Sequence, residues 1–301
     1  MRCCPEAMTL QTRRTLLKAM GLAALTACSP AGADTSGQGG VLALDWALAE
    51  TMIALGKTPA GIVAAEDWKR FVVDPELPRK TADLGLQQEL NFELMAALRP
   101  DLILISPFLE HLKPKLDRIA PSANLSVYDP GEVPLGQRVN VTRKLAGLIG
   151  AVSAVDDYLL DLDALREDIA GRLSRLRQRP ILMVSFIDDR HARIYAGSSL
   201  YADAMAWLGL KNAWRRPAGY FGFSTIGIEE LATQEDVELI AVEPVQPDIS
   251  RALAESPLWT RLPFVSAGHH GTIPPVFMFG ALPSARRFAD LVIAHLEERW
   301  G

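Results

Sequence analysis

The sequence predicts an α/β protein of two lobes joined by one long helix. Three observations lead there. From residue 41 short β-rich runs alternate with helical segments; an amphipathic stretch without a break follows; a second alternation then begins at once. Val41 to Leu44 reads as a strand, and Ala47 to Leu55 as a helix that stops at Gly56. Ile62 to Ala64 is a second strand. Asn91 to Leu98 is a short helix with Asn91 as N-cap and Glu93 in its first turn. Asp101 to Ser106 is a buried strand, and Leu125 to Tyr128 another. Strands and helices alternating in units of about 25 residues indicate a parallel α/β lobe over 41–151.

The predicted connecting helix covers 152–179. Val155, Tyr158, Leu159, Leu162, Leu165, Ile169, Leu173 and Leu176 recur at spacings of three and four. Ser153 with Asp156 is compatible with a capping box, the arginines gather toward the C-terminal end, and Pro180 stops the run. A helix of that length is a rod of roughly 35 to 40 Å. The second lobe, 180–301, opens with the strand Ile181 to Phe186, and Arg193 to Ala196 is its candidate hairpin partner. Helices are expected at Leu200 to Leu208 and Ile228 to Ala232, a strand at Val237 to Val242, and a terminal amphipathic helix from about Pro283 to Trp300.

The N-terminus reads as an export signal. Arg13 and Arg14 precede a charge-free run from Ala19 to Ala33, too short to cross a membrane, which takes roughly 20 residues. The paired arginines resemble a twin-arginine leader over 1–27. Leu25-Thr26-Ala27-Cys28 resembles a lipobox that would lipidate Cys28 and anchor the protein to a membrane. Ala31-Gly32-Ala33 also fits ordinary signal cleavage. Residues 28–40 have the composition of a flexible tether. The three cysteines, Cys3, Cys4 and Cys28, all lie in this region, so the body carries no thiolate chemistry and no disulfide framework. Removing residues 1–27 takes away four basic side chains and one acidic one, which moves the net charge from −5 to −8. An acidic body argues against nucleic acid as a partner.

Catalytic signatures are missing: no P-loop, no G-x-S-x-G elbow, no G-x-G-x-x-G after a strand and no H-E-x-x-H occurs. Neighbouring His269 and His270 face opposite ways in an extended segment and make a poor chelate. No metal ligands, cofactor or catalytic residues are assigned. A lipid-anchored α/β hydrolase would have to use Ser106 or Ser185, each at a strand end, yet Pro or Phe follows them where an elbow needs glycine.

Short strings in a fixed order then carry a resemblance. Val41 to Trp46, Ala54-Leu55-Gly56, Asp83-Leu84-Gly85, Asn91 to Met95 and Leu98-Arg99-Pro100-Asp101 are similar to those of the helix-linked periplasmic binding proteins, which bind iron-siderophores, haem and vitamin B12. Ile119 to Pro121, Asn212 to Trp214, Ser256 to Trp259, Leu262 to Val265 and Phe277 to Gly280 resemble its ferric-hydroxamate branch. The resemblance implies two Rossmann-like lobes, a long connecting helix and a shallow cleft that opens and closes little. It implies a monomer that hands a ferric hydroxamate siderophore to an inner-membrane ABC permease with its ATPase, no protein atom touching iron. Cobalamin, haem or another metal chelate is the alternative cargo.

Carried over by position, Trp46, Phe71, Trp214, Phe221, Phe277 and Phe279 match the family's aromatic lining. Its hydroxamate-contacting arginine is here Gln87, which donates N–H without charge. Its hydrogen-bonding tyrosine falls near Phe108 or Leu109. Glu229 occupies the position of an acidic permease contact on the second lobe. The first-lobe counterpart falls near Pro114, with Glu110 and Asp117 as neighbours.

Overall fold

The computed structural model describes residues 39–128 and 133–301. The leader, Cys28 and the tether up to residue 38 lie outside the described residues.

The first lobe is a parallel sheet of β1 (Val41–Ala43), β2 (Gly61–Ile62), β3 (Ala82–Asp83), β6 (Leu102–Ile105) and β7 (Ser122–Asn124), in the order β3-β2-β1-β6-β7. Its central runs are apolar on both faces because both faces are covered. Side chains alternate accordingly: Ala43 and Leu104 join one core, while Leu42, Ile103 and Ile105 join the other. Helices α1 (Trp46–Ala54), α2 (Trp68–Phe71), α3 (Phe92–Ala97), α4 (Lys113–Leu116) and α5 (Gly136–Leu148) complete the lobe. A hairpin of β4 (Gly85–Leu86) and β5 (Glu89–Leu90) projects from it. Asn91 caps α3 as expected, accepting from the Leu94 amide.

Helix α6 (Val152–Leu173) follows, 22 residues long, burying Val155, Leu162, Ile169 and Leu173. The second lobe contains β8 (Ile181–Phe186), β9 (His191–Tyr195), β10 (Phe223–Gly227), β11 (Glu238–Val242) and β12 (His270–Ile273), ordered β10-β9-β8-β11-β12. β8, β11 and β12 are parallel, and β9 forms antiparallel pairs with β8 and β10. Its helices are α7 (Leu200–Trp207), α8 (Pro247–Glu255), α9 (Pro257–Thr260), α10 (Pro263–Ser266) and α11 (Leu282–Trp300). α7 and α11 cover one face through Tyr201, Met205, Phe288 and Leu296, and Trp259, Leu262 and Phe264 cover the other. α11 also packs against α1 and α5 of the first lobe. No helix among the described residues is long and apolar enough to cross a membrane.

Four expectations differ from the structure. The strand expected at Leu125 to Tyr128 forms instead at Ser122–Asn124, ending where the Leu125 amide bonds to Ile105 O; the chain then leaves the sheet. α6 begins from Ala151 without a side-chain cap, so Ser153 does not serve as one. It also stops at Leu173, six residues short of 179, where Gln178 Nε2 donates to the Leu173 carbonyl and Pro180 forces extension before β8. Ile228–Thr233 is a 3₁₀ segment.

Candidate functional site

The first lobe's strand order reverses between β1 and β6: the chain steps outward to β2 and β3, then crosses back. Such a reversal leaves a crevice beyond the carboxyl ends of the strands. The segments leaving β1, β2, β6 and β7, together with the β4–β5 turn, line a cavity of about 400 Å³ there. Phe221, Phe277 and Phe279 of the second lobe form its other side. Pockets for small ligands run from about 300 to 1,000 Å³, so this one is of suitable size.

Its walls are aromatic. Trp46 opens α1, and its indole Nε1 donates to Val63 O at 2.7 Å, which fixes the ring and leaves its faces for packing. Phe277 meets that ring at 5.3 Å, a contact between lobes. Phe108 meets Phe221 at 5.5 Å, and Tyr128 lies edge-on to Phe108, Phe221 and Phe279 at 5.7 to 6.1 Å. Phe108 is 46% exposed and Leu86 53% exposed, so the mouth presents apolar surface to solvent.

Polar groups are few and placed by local structure. The two-residue turn between β4 and β5 is Gln87-Gln88, and both residues line the cavity. Gly85 permits that hairpin: its φ is +84°, and a Cβ there would come within 2.7 Å of Glu89 O. Gln87 Nε2 donates to Leu44 O at 3.4 Å. Asp45 lies in the floor as the N-cap of α1, its Oδ1 accepting from Ala47 N at 2.9 Å and Leu48 N at 3.4 Å. Burial pushes its carboxyl up, against the Ser106 hydroxyl beside it and those two amides. The Tyr128 phenol is raised by burial and further by the Asp45 charge, so it stays protonated and able to donate. No lysine, arginine or histidine is found among the described lining residues, nor any cluster of His, Cys, Asp or Glu that could hold a metal.

The cleft thus brings together Trp46, Gln87, Phe108, Phe221, Phe277 and Phe279. Phe71 packs on Trp46 at 6.3 Å, beside the lining and not within it. Leu109 and Trp214 are corrections, being seated in the cores. Leu109 is one residue past Phe108 in a 3₁₀ turn and points to the opposite side, among Leu42, Ile103 and Ile105. Trp214 is fixed by the Asn212 turn and packs with Leu182, Leu239 and Ile228. Asp45, Gln88 and Tyr128 are lining residues that the sequence reading passed over. Asp45 was visible as a capping type directly before a helix. Tyr128 left no local signal, because the register of β7 had to be known first.

A family model described as periplasmic binding protein matches residues 41–276. Over 286 residues the chain is 30% identical to the iron(3+)-hydroxamate-binding protein FhuD of Escherichia coli, covering 95% of this chain and 96% of that one. It is 27% identical over 238 residues to the achromobactin-binding periplasmic protein of Dickeya dadantii, with 74% of each covered. Among solved structures, the Fe3+–Desferal-bound FhuD of Vibrio cholerae superposes with a TM-score of 0.79 at 25% identity, covering 87% of this chain and 99% of that one. The petrobactin-binding protein YclQ of Bacillus subtilis shares the fold, with a TM-score of 0.67 at 19% identity over 86% of this chain and 92% of that one. Two α/β lobes joined by a single helix, a cleft at the strand ends and a match over most of the chain lead to one conclusion: this protein belongs to the periplasmic binding protein family.

Proposed function

We propose that the protein captures ferric hydroxamate siderophores outside the cytoplasm and delivers them to an inner-membrane ABC permease. The observation that carries this reading is the lining: six aromatic side chains, one of them a phenol, and two glutamines, with no cation among the described residues. Three singly charged hydroxamates neutralise Fe3+, so their complex is uncharged, apolar outside and dotted with carbonyl and oximate oxygens. Aromatic walls with a few N–H and O–H donors suit such a cargo. A catecholate complex is strongly anionic and meets a buried carboxylate, Asp45, with no lining cation to offset it. The hydroxamate relatives from Escherichia coli and Vibrio cholerae support the same class.

Binding, not catalysis, fits the serines. Ser185 Oγ shares a hydrogen bond with the Tyr195 phenol at 3.1 Å and not with a base, while Ser106 is buried beneath the cleft. We read Glu229, exposed at the start of the 3₁₀ segment, as the second-lobe permease contact, and exposed Glu110 or Asp117 as candidates on the first. Lipidation at Cys28 is the proposed anchor, and a monomer the proposed state.

The test is a tryptophan-fluorescence titration of the mature chain with ferric ferrichrome, ferrioxamine and coprogen, against their iron-free forms, cobalamin and haem. Trp46 in the wall is the reporter. Saturable quenching by a ferric hydroxamate alone is expected; a response only to cobalamin or haem would reassign the cargo.

A further inference from the structure

The loop 274–281 between β12 and α11 brings Phe277 and Phe279 to the cleft, and its backbone is held from both lobes. From the second lobe, Arg287 Nε donates to Pro275 O at 2.8 Å and the Tyr201 hydroxyl to Val276 O at 2.7 Å. From the first lobe, Arg138 Nε donates to Gly280 O at 3.1 Å, its other arm pairing with Asp203 at 2.6 Å. Glu50, also of the first lobe, accepts from the Ala281 amide at 2.5 Å, the Ser284 hydroxyl at 2.6 Å and the Ser284 amide at 3.4 Å.

Glu50 is fully buried in α1, four residues after Trp46. Residues four apart share one helix face. That face therefore touches both ends of the same loop: Trp46 meets Phe277 inside the cleft, and Glu50 holds Ala281 and Ser284 behind it. A buried acid is costly unless its oxygens find hydrogen-bonding partners, and here the first turn of α11 supplies them. An apolar side chain in its place would leave two amides and a hydroxyl unpaired.

We propose that Glu50 is a positioning residue for ligand binding, clamping the aromatic loop of the second lobe to the first. The proposal rests on the reading of the cleft as the ligand site. A ligand wedged between Trp46 and Phe277 bears on a unit whose far end is tied by Glu50. Cleft occupancy and lobe spacing are thereby coupled through one helical turn.

The experiment compares wild type with Glu50→Ala, Glu50→Gln and Ser284→Ala by two readouts. One is hydrogen–deuterium exchange of residues 275–284 without ligand; the other is fluorescence titration with ferric ferrioxamine. In folded Glu50→Ala, exchange in this segment should rise about tenfold and affinity fall about tenfold, with the strands β1 and β11 unaffected. Glu50→Gln should restore both to within about threefold, because its amide accepts from N–H and donates to Ser284. Ser284→Ala should lie between, and it carries the test if Glu50→Ala does not fold. Unchanged exchange at 275–284, or faster exchange with unchanged ferrioxamine affinity, would overturn the proposal. If wild type ignores ferrioxamine while the exchange behaves as stated, the ligand reading fails and the clamp survives.

Discussion

Tyr128 is where single side chains decide most. Its ring is gripped by three phenylalanines, yet its hydroxyl makes no side-chain hydrogen bond among the described residues. A protonated phenol beside a cavity can donate to an oxygen of whatever the cavity holds, and on the proposed function that is a hydroxamate oxygen. Tyr128→Phe keeps the ring packing and removes only the donor. Affinity for a ferric hydroxamate should fall by roughly three- to tenfold, with the denaturant midpoint of unfolding unchanged. Equal affinity in the variant, read by the same titration, would exclude the phenol from recognition. Asp45 tells the opposite story: one of its oxygens caps α1, so a variant there mixes helix stability with binding.

At the scale of elements, the loop into α11 depends on a missing side chain. A Cβ on Gly280 would collide with the Ser284 hydroxyl and come within 2.9 Å of Glu50 Oε1. Gly280→Ala must therefore push α11 away from α1, and Phe277 and Phe279 with it. We expect an affinity loss of about tenfold with destabilisation of about 1 to 3 kcal/mol, checked by titration and urea unfolding. Much of the element layout was legible in the residues. Buried parallel strands such as Leu102–Ile105 are near-continuous apolar runs, and Asn91 announces α3. α5 was not legible, because its inward face carries Arg138 and Thr142, which blur the helical period and become sensible only beside Asp203 and Gly280. Nor was the split between Phe108 and Leu109. Resemblance aligned both to one position, and only the 3₁₀ turn shows that one faces the cleft and the other the core.

For the whole molecule, Glu50 links pH to stability. Burial pushes its carboxyl up from 4.5 to about 8, with Asp45 adding to the rise and the Ser284 and Ala281 donors resisting it. Tyr128, Tyr158 and Arg138 are the other titratable groups that sense it. The folded chain keeps a proton here that the unfolded chain releases near 4.5. Stability is therefore greatest at the low end of that window and declines as pH rises toward 8, by up to about 1.4 kcal/mol per pH unit. Urea unfolding at pH 5.5 and 8.5 should show a drop in wild type that Glu50→Gln largely removes; parallel curves would refute the assignment. The same seam bears on how the chain comes into being. Ala281 belongs to the first lobe's core, and α11 packs on α1 and α5, although the helix is part of the second lobe. Synthesis runs from the N-terminus, so α1 and α5 emerge well before α11. The lobe begun earlier therefore stays unfinished, with Glu50 lacking its Ala281 and Ser284 donors, until α11 follows.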